Sequence, residues 1–251
     1  MTAPTPVRHL VLRLDAPLMS FGSEAVDAFG VVRDFPARSA VTGLVGNALG
    51  WDRADGPLLD RLQQRLVMGS VRRREGRRVR DFQTAQLGAG DRGWTTRGRP
   101  EGRAGGAATY ASPHIRYRDA DADALVLVVL RLHPAEEQPD LDAVAAAMDR
   151  PERPLFIGRK PFLPSGRLHA GSVCVPTIRD ALEAACRSFP EGGDPAAAGA
   201  GCRAQWPESE GEGLRTVELT DRRNWRTGVH AGLSRLVEGT VGRAAAAGRT
   251  G

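Results

Sequence analysis

Arg38 and Ser39 stand at the entrance of a predicted helix that carries two glycines, Gly43 and Gly46, in its interior. A glycine inside a helix costs about 1 kcal/mol relative to alanine, so the close approach of another backbone is a physical reason for both. That backbone could be a sugar-phosphate chain, which the positive end of the helix would favour, or it could be the protein's own sheet. The segment by itself leaves both interpretations open.

A second set of residues could bind a polyanion. Lys160 is the only lysine, so arginine supplies almost all of the 35 cationic side chains, and the formal net charge is +5. Guanidinium groups pair with phosphates and stack on bases, so clustered arginines favour a polyanionic partner. A solvated charged face is the alternative. Six arginines fall within nine consecutive positions: Arg72, Arg73, Arg74, Arg77, Arg78 and Arg80.

Other kinds of site are poorly represented. The five histidines are scattered, without the H-x-E or HExxH spacing of metal enzymes. The three cysteines, Cys174, Cys186 and Cys202, form no CxxC pair, so neither a disulfide framework nor a zinc site is indicated. No GxxxxGK(S/T) or GxGxxG motif follows the first predicted strand. We therefore predict no metal and no cofactor.

The composition indicates a folded protein of a reducing compartment. Hydrophobic residues make up 41% of the 251, which is ample for a core, whereas aromatic residues make up only 5%. Nucleic-acid binding would therefore depend on charge and shape more than on rows of stacking rings. No run of 18 apolar residues occurs, and no apolar stretch precedes the first predicted strand, so we expect a cytoplasmic protein without a membrane segment.

Strands and helices alternate along the first 160 residues. Residues 36–49 form the glycine-bearing helix, and helical spacing recurs at 58–66 and 141–148. The run 125–132 is almost continuously apolar and is expected to be a central strand. Further strands are predicted at 7–14, at 67–73, from about 79, and near 155–157.

One stretch between the strands cannot pack a core of its own. Residues 88–106 are rich in Gly and Arg and contain almost no aliphatic side chains. Their flanks, 80–87 and 110–118, resemble strands, which predicts a long hairpin with a mobile tip. This predicted insertion, over about 80–118, is called the thumb below.

The order β, α, β, hairpin, β, α, β predicts an α+β fold: a modified ferredoxin-like domain with the split βαβ arrangement of RRM-like RNA-binding modules. This palm would occupy residues 1–172, with the long β-hairpin thumb inserted. Residues 173–242 are expected to form a small, irregular β-rich extension that contains a loop at 190–213. Residues 243–251 are predicted to be a disordered tail.

Four segments follow one another in an informative order. They are Leu10-Val-Leu-Arg-Leu-Asp-Ala-Pro17, Phe35-Pro-Ala-Arg-Ser39 before the two glycines, Arg80-Asp-Phe-Gln-Thr84 and Gly158-Arg-Lys160. Together they resemble the CasD ("Cas five") family of the repeat-associated mysterious protein (RAMP) superfamily, which serves the type I-E CRISPR surveillance complex, Cascade. The resemblance covers most of the chain up to about Ser172. Beyond it, little aligns except Arg223-Asn-Trp-Arg226.

The resemblance implies a protein that caps the 5′ handle of the mature CRISPR RNA (crRNA) and supports antiviral defence. The glycine helix would let RNA lie close, and polar side chains near it would reach phosphates or base edges. The thumb would extend over the RNA towards the first backbone subunit, and other Cascade subunits, including the large subunit, are further expected partners. The implied RNA-binding residues are Arg33, Arg38, Ser39, Thr42, Gly43, Gly46, Asn47, Arg80, Tyr110, His114, Arg116, Arg159 and Lys160.

Two alternatives remain open at this point. A sister branch, which serves the type I-C system, cleaves precursor crRNA itself, and metal-free cleavage needs a general base, an acid and a cation. Tyr110, His114, Tyr117 and Lys160 are of suitable types. Alternatively, the thumb could be a protein-only assembly arm. We expect a non-catalytic protein, because in the type I-E arrangement a separate subunit cleaves the RNA.

Overall fold

In a computed structural model of the protein, the described residues are 5–23, 27–86, 93–94, 100–101, 113–190, 201–230 and 232–242. Their helices are α1 (Arg38–Ala48), α2 (Gly56–Arg65), α3 (Leu141–Asp149) and α4 (Ile178–Ser188). Their strands are β1 (Val7–Asp15), β2 (Leu18–Met19), β3 (Phe21–Gly22), β4 (Phe29–Gly30), β5 (Val32–Arg33), β6 (Leu66–Arg74), β7 (Arg77–Ala85), β8 (Gly93–Trp94), β9 (Pro100–Glu101), β10 (His114–Ala122), β11 (Leu125–Leu132), β12 (His169–Val175), β13 (Cys202–Pro207), β14 (Arg215–Thr220) and β15 (Leu233–Val241).

The main body is a seven-stranded sheet in the order β12, β1, β11, β6, β13, β15, β14. Every neighbouring pair in it is antiparallel. β11 lies between β1 and β6, and all but one of its residues are buried. A strand covered on both faces needs a continuous apolar run, which this segment has. The predicted central strand is thus confirmed.

Helices cover both faces of the sheet. Alternate residues of β1 point to opposite faces, so Leu10 and Leu12 belong to one core and Val11 to the other. The first core contains apolar residues of α1 and α3, and it fixes the position of the predicted glycine helix. The second contains the apolar side of α4 and Trp206 of β13. No helix in the described part of the chain is both long enough and apolar enough to cross a membrane.

Three elements differ from the predictions. No strand forms at 155–157, because the chain turns there, with the Ile157 N–H donating to the Phe162 carbonyl at 2.8 Å; β12 pairs with β1 instead. The range 190–213, predicted as a loop, contains β13, because Trp206 packs into the core beside α4. Helix α4 was not predicted, although its apolar residues recur at helical spacing and the Thr177 side chain caps it.

β7 and β10 form an antiparallel hairpin in the range predicted as the thumb. Their pairing runs from Ala85 opposite His114 to Arg77 opposite Ala122. Much of the predicted tip lies outside the described residues, which include there the short pair of β8 and β9. The predicted tail, 243–251, also lies outside the described residues.

Candidate nucleic-acid interface

Two adjoining cavities lie on the surface. The first, of about 400 Å³, lies beside α1, and the second, of about 410 Å³, lies beside β10. Ser20, Gly22, Ser23 and Gly158 line both, so the two cavities are neighbours. They are called the α1 cavity and the β10 cavity below, and together the groove.

Three of the residues implied to bind RNA line the α1 cavity. Ser39, Gly43 and Asn47 line it at a spacing of four, so they share one face of α1. The Asn47 side-chain amide donates to the Pro154 carbonyl at 3.0 Å, which leaves its own carbonyl oxygen for a ligand. This face of the helix therefore offers short polar groups and, at Gly43, no side chain.

Arginines dominate the β10 cavity. Arg116 and Arg118 are alternate residues of β10 and line the cavity together with Arg159. The Arg159 guanidinium donates to the Asp119 carbonyl at 2.7 Å. Desolvation, and then the neighbouring charge of Arg118, lowers the pKa of Arg159. Since Asp27 is the one carboxylate among the described residues that line this cavity, its field is positive and suits an anion.

Gly158 lies at the junction of the two cavities. Its φ is +96°, and a Cβ there would lie 2.0 Å from the carbonyl oxygen of Ser20. No side chain fits such a position, so two loops meet there through bare backbone. The absence of a side chain lets the backbone of residue 158 pack against Ser20 at the boundary of the two cavities.

Two predicted residues of α1 do not face the groove. Thr42 is fully buried, and its hydroxyl donates to the Arg38 carbonyl of the same helix at 2.9 Å. A Cβ at Gly46 would lie 2.5 Å from a methyl group of Leu59 in α2. The close approach that Gly46 permits is therefore packing of α1 against α2, which corrects the interpretation of both residues as ligand contacts.

Arg33, Arg38 and Arg80 lie away from the groove. Arg38 lines a separate small depression beside Asp221, and its desolvation lowers its pKa. Arg33 donates to the Thr220 carbonyl at 3.0 Å. Arg80 forms two hydrogen bonds with Asp119, at 2.7 and 3.2 Å, and this pairing raises its pKa. None of the three lines the groove within the described residues.

The remaining predicted residues are exposed or lie outside the described residues. His114 is exposed at the start of β10, and Lys160 is exposed next to Arg159. Neither lines the cavities as the described residues form them. Tyr110 lies outside the described residues. The structure thus brings together Ser39, Gly43, Asn47, Arg116 and Arg159 along one groove.

The arginines that cluster in the sequence are largely paired with carboxylates. Arg72 and Arg78 both contact Asp121, at 3.0 and 2.8 Å, and Arg74 contacts Asp15 at 3.3 Å. These carboxylates come from β1 and β10, which are distant in sequence. Their negative charges cancel much of the local positive field. This segment is therefore a weaker anion-binding surface than its number of arginines predicts.

The sequence and the fold of this protein are similar to those of known CRISPR-associated proteins. Residues 9–237 match the model of a family described as CRISPR-associated protein (Cas_Cas5). The chain belongs to this Cas5 family. Two solved structures are similar over 93% of the chain. One, "CRISPR RNA-guided surveillance complex", has a TM-score of 0.66 and is 20% identical in sequence, and the match covers 90% of that chain. The other, "Crystal structure of Cas protein", has a TM-score of 0.55 and is 24% identical, and the match covers 94% of that chain.

These likenesses show the fold of the Cas5 family protein. Because both structures are less than 25% identical to this chain, they support its fold alone: a mixed α+β architecture with a large antiparallel sheet. No curated protein sequence matches this chain significantly.

Some groove residues of this Cas5 family protein were not among the predicted ones. Arg118 lines the β10 cavity, and Arg223, Trp225 and His230 line the α1 cavity from the connection between β14 and β15. Two of these residues, Arg223 and Trp225, belong to the motif Arg223-Asn-Trp-Arg226, which could have indicated them from the sequence. Its place beside α1 could not be inferred, because about 180 residues separate the two segments.

Proposed function

We propose that this protein is a non-catalytic subunit of the type I-E CRISPR surveillance complex, Cascade, and that it binds and caps the 5′ handle of the crRNA. The observation that carries the proposal is the groove, in which a cationic cavity adjoins a more apolar one. Membership of the Cas5 family and the fold shared with a chain described as a CRISPR RNA-guided surveillance complex support it. The choice of type I-E depends on the motif resemblance.

The charges along the groove support a single-stranded polyanion as the ligand. Arg116, Arg118 and Arg159 would contact phosphates, with Lys160 exposed at the edge. The α1 cavity has mainly apolar walls, which suit bases rather than phosphates. Proteins that recognise single-stranded RNA combine these two kinds of surface, because phosphate contacts position the strand and unstacked bases are read individually.

The topology supports a modified ferredoxin-like palm. In chain order, β1, β6, β11 and β12 are separated by α1 with α2, by the β7–β10 hairpin and by α3. In space they lie in the order fourth, first, third, second. This is the βαββαβ arrangement with a hairpin inserted between its second and third strands. The inserted hairpin is the element that would act as the thumb.

The geometry of β10 supports a non-catalytic role. His114 and Tyr117 are three positions apart on one strand, so their side chains point to opposite faces. Tyr117 also packs between Phe29 and Phe82, with ring centroids at 5.0 and 5.4 Å. These two residues therefore cannot converge on one phosphodiester as acid and base without a change in the strand.

An exposed aromatic cluster supports a contact between the hairpin and a neighbouring subunit. Phe82 is 56% exposed, and Tyr117 and Phe29 adjoin it. The nearby Arg80 is neutralised by Asp119 and lies over the Phe29 ring. Phe29 and Tyr117 also line the β10 cavity, but Phe82 does not. The exposed Phe82 ring therefore suits a protein partner, since aromatic residues dominate the centres of protein interfaces. Phe29, Tyr117 and Phe82 are called the aromatic patch below.

The dependence of RNA affinity on salt tests the proposal. The logarithm of affinity should fall linearly with the logarithm of salt concentration, by about 0.7 per phosphate contact for a single strand. In Arg116→Gln/Arg118→Gln/Arg159→Gln, the slope should become shallower by about 2. The matched control, Arg53→Gln/Arg150→Gln/Arg187→Gln, removes the same charge from exposed positions outside the groove and should keep the slope.

Two further measurements separate the alternatives. Sequencing the RNA that co-purifies with the protein, with its 5′ end mapped, should identify a crRNA handle. Incubating the purified protein with precursor repeat RNA in EDTA should leave that RNA intact, whereas specific cleavage would favour the endoribonuclease. RNA binding without any salt slope, or no binding, would favour the protein-only assembly arm.

A further inference from the structure

The α1 cavity is lined on one side by the connection between β14 and β15, of which residues 221–230 and 232 are described; it is called the 221–232 loop below. Backbone contacts tie this loop to both neighbouring helices. The Ser39 N–H of α1 donates to the Asp221 carbonyl at 3.0 Å. The Gln63 side chain of α2 donates to the Arg223 carbonyl at 2.9 Å and accepts from the Arg223 N–H at 3.0 Å. The loop is therefore a fixed wall of the cavity.

Trp225 forms the aromatic part of that wall. A Cβ at Gly43 would lie 3.3 Å from the edge of its indole ring, so the ring rests where the helix has no side chain. The guanidinium of Arg223 lies over the same ring, 5.3 Å from its centroid. The backbone N–H of Trp225 donates to the Asp60 carboxylate at 3.4 Å. The Trp225 indole thus contacts α1 at Gly43 and packs against the Arg223 guanidinium, and the three residues form one surface beside the cavity.

Two hydrogen-bond donors of this surface have no acceptor. The Trp225 indole N–H and the Arg223 Nε–H are shielded from solvent and find no partner within the described residues. Buried donors in folded proteins are nearly always paired, so an unpaired one requires an explanation. Both belong to residues that line the α1 cavity, so a small shift of either side chain on ligand entry would bring its donor to an acceptor atom.

The other walls define the shape of that ligand. Phe21, Leu44 and Phe156 line the cavity opposite the loop and present apolar surface. Such walls disfavour a phosphate, whose charge they would desolvate. A cavity of about 400 Å³ is in the range that encloses one small organic molecule. A flat ring with carbonyl oxygens or ring nitrogens at its edge fits the apolar walls and the two donors together.

We propose that the α1 cavity holds a single nucleobase, turned out of the RNA strand whose phosphates lie along the β10 cavity. The edge of the Trp225 indole faces the edge of the base, where the indole N–H and the Arg223 Nε–H donate to acceptor atoms. This inference rests on the proposed function, since it places the base on a strand already bound in the groove. It assigns the base subsite to the 221–232 loop, which lies outside the predicted RNA-binding residues.

An abasic scan tests the subsite. The probes are synthetic copies of the RNA that co-purifies with the protein, each lacking one base, titrated against the full-length chain. One position should bind about 5- to 150-fold more weakly, the range expected when shielded hydrogen-bond donors lose their acceptors. In Trp225→Ala the intact RNA should bind more weakly by a similar factor, and the same abasic position should cause little further loss, because the two changes remove one interaction.

Controls separate a base contact from damage to the loop. Trp225→Phe keeps a ring but loses the N–H, so it should bind with intermediate affinity, and it serves where Trp225→Ala fails to fold. Val229→Ala changes an exposed residue of the same loop and should leave the abasic profile unchanged. The salt slope of Trp225→Phe should equal that of the wild type, since no phosphate contact is removed.

The possible failures are distinguishable. RNA binding with an arginine-dependent salt slope, but with no abasic position coupled to Trp225, would overturn the base subsite and leave the proposed function intact. Absence of RNA binding, or binding without the arginine-dependent slope, would overturn the proposed function and the subsite with it.

Discussion

Asp121 illustrates how the arginines of this protein are divided between structure and ligand. Its carboxylate is 3% exposed and contacts Arg72, itself 2% exposed, at 3.0 Å, and Arg78 at 2.8 Å. A buried ion pair gives little net stability compared with apolar residues, but removing one partner leaves an uncompensated charge. These arginines therefore hold the base of the hairpin to the main sheet, whereas Arg116, Arg118 and Arg159 remain for the groove.

Replacing Asp121 with alanine should lower the free energy of unfolding by about 3 kcal/mol, because the buried Arg72 guanidinium loses its buried carboxylate and keeps only the half-exposed Glu75 at 3.1 Å. Urea denaturation measures this change. Asp142→Ala, which removes the exposed partner of Arg8, is the matched control and should cost no more than about 1 kcal/mol. Equal effects of the two substitutions would show that Asp121 has no special role in the hairpin base.

His9 is the second residue whose environment has a measurable consequence. It is fully buried, its Nε2 lies 3.4 Å from an Arg131 nitrogen, and Arg131 pairs with Glu210. Desolvation, and then the charge of Arg131, lowers the pKa of His9 from 6.5 to about 4. The neutral imidazole is therefore the form that the folded protein accommodates.

The stability contribution of neutral His9 is complete above pH 6.5 and is lost as the pH falls towards 4, because the unfolded chain binds a proton that the folded protein excludes. Between pH 7.5 and 5 the wild type should lose about 2 kcal/mol from this group. His9→Gln should flatten the pH dependence of the urea midpoint, whereas His133→Gln, at an exposed position, should not. An unchanged profile in His9→Gln would contradict the assignment.

At the scale of elements, the 221–232 loop depends on α2 for its position. Gln63 is buried and makes two hydrogen bonds to the backbone of Arg223, which stands next to Asn224 and Trp225. Truncating Gln63 leaves a buried N–H and a buried carbonyl without partners. The loop, rather than the core of the protein, would absorb that change, since few of its residues are buried.

In Gln63→Ala, the opening free energy of the loop should fall by about 1–3 kcal/mol, the usual cost of unsatisfied buried groups. Hydrogen exchange at the Arg223 amide measures this as a faster rate, while exchange in β11 should stay the same. Gln64→Ala, at the exposed neighbouring position, is the control. Slow exchange at Arg223 in Gln63→Ala would mean that α2 does not hold the loop.

At the scale of the whole molecule, two surfaces with different chemistry lie on the same hairpin. Arg116 and Arg118 point to one face of β10, and Tyr117 points to the other with Phe82 and Phe29. The first face is cationic and belongs to the groove. Of the aromatic patch, Phe29 and Tyr117 also line the β10 cavity, whereas Phe82 does not. RNA binding and subunit contact should therefore be separable by substitution at Phe82.

Phe82→Asp should weaken assembly with the neighbouring subunit by roughly 30-fold, as expected at an interface hot spot, because it places a charge in the aromatic patch. The isolated protein should keep its RNA affinity and its stability, since Phe82 is largely exposed. Leu58→Asp, at an exposed apolar position of α2, is the control for assembly. Loss of RNA affinity in Phe82→Asp would instead make the patch a stacking surface for bases.

Local patterns in the sequence were sufficient for several elements. The apolar run of β11, the strand β1 and the helices α1, α2 and α3 follow from periodicity alone, which depends on neighbours within a few positions. Four short motifs in order were enough to indicate the family to which residues 9–237 belong. Helix α4 shows that a clear periodicity can be missed where the surrounding pattern is weak.

The tertiary structure decided which of the candidate residues share a site. Gly43 and Gly46 look alike in sequence, yet one lines the groove and the other packs against Leu59. Likewise, the clustered arginines are paired by carboxylates far along the chain, and Trp225 reaches α1 from the last part of the fold. Helix and strand formation is encoded by neighbouring residues, but burial and charge pairing depend on partners brought together only by folding. For this reason the sequence determined the elements and the family, and the structure determined the groove.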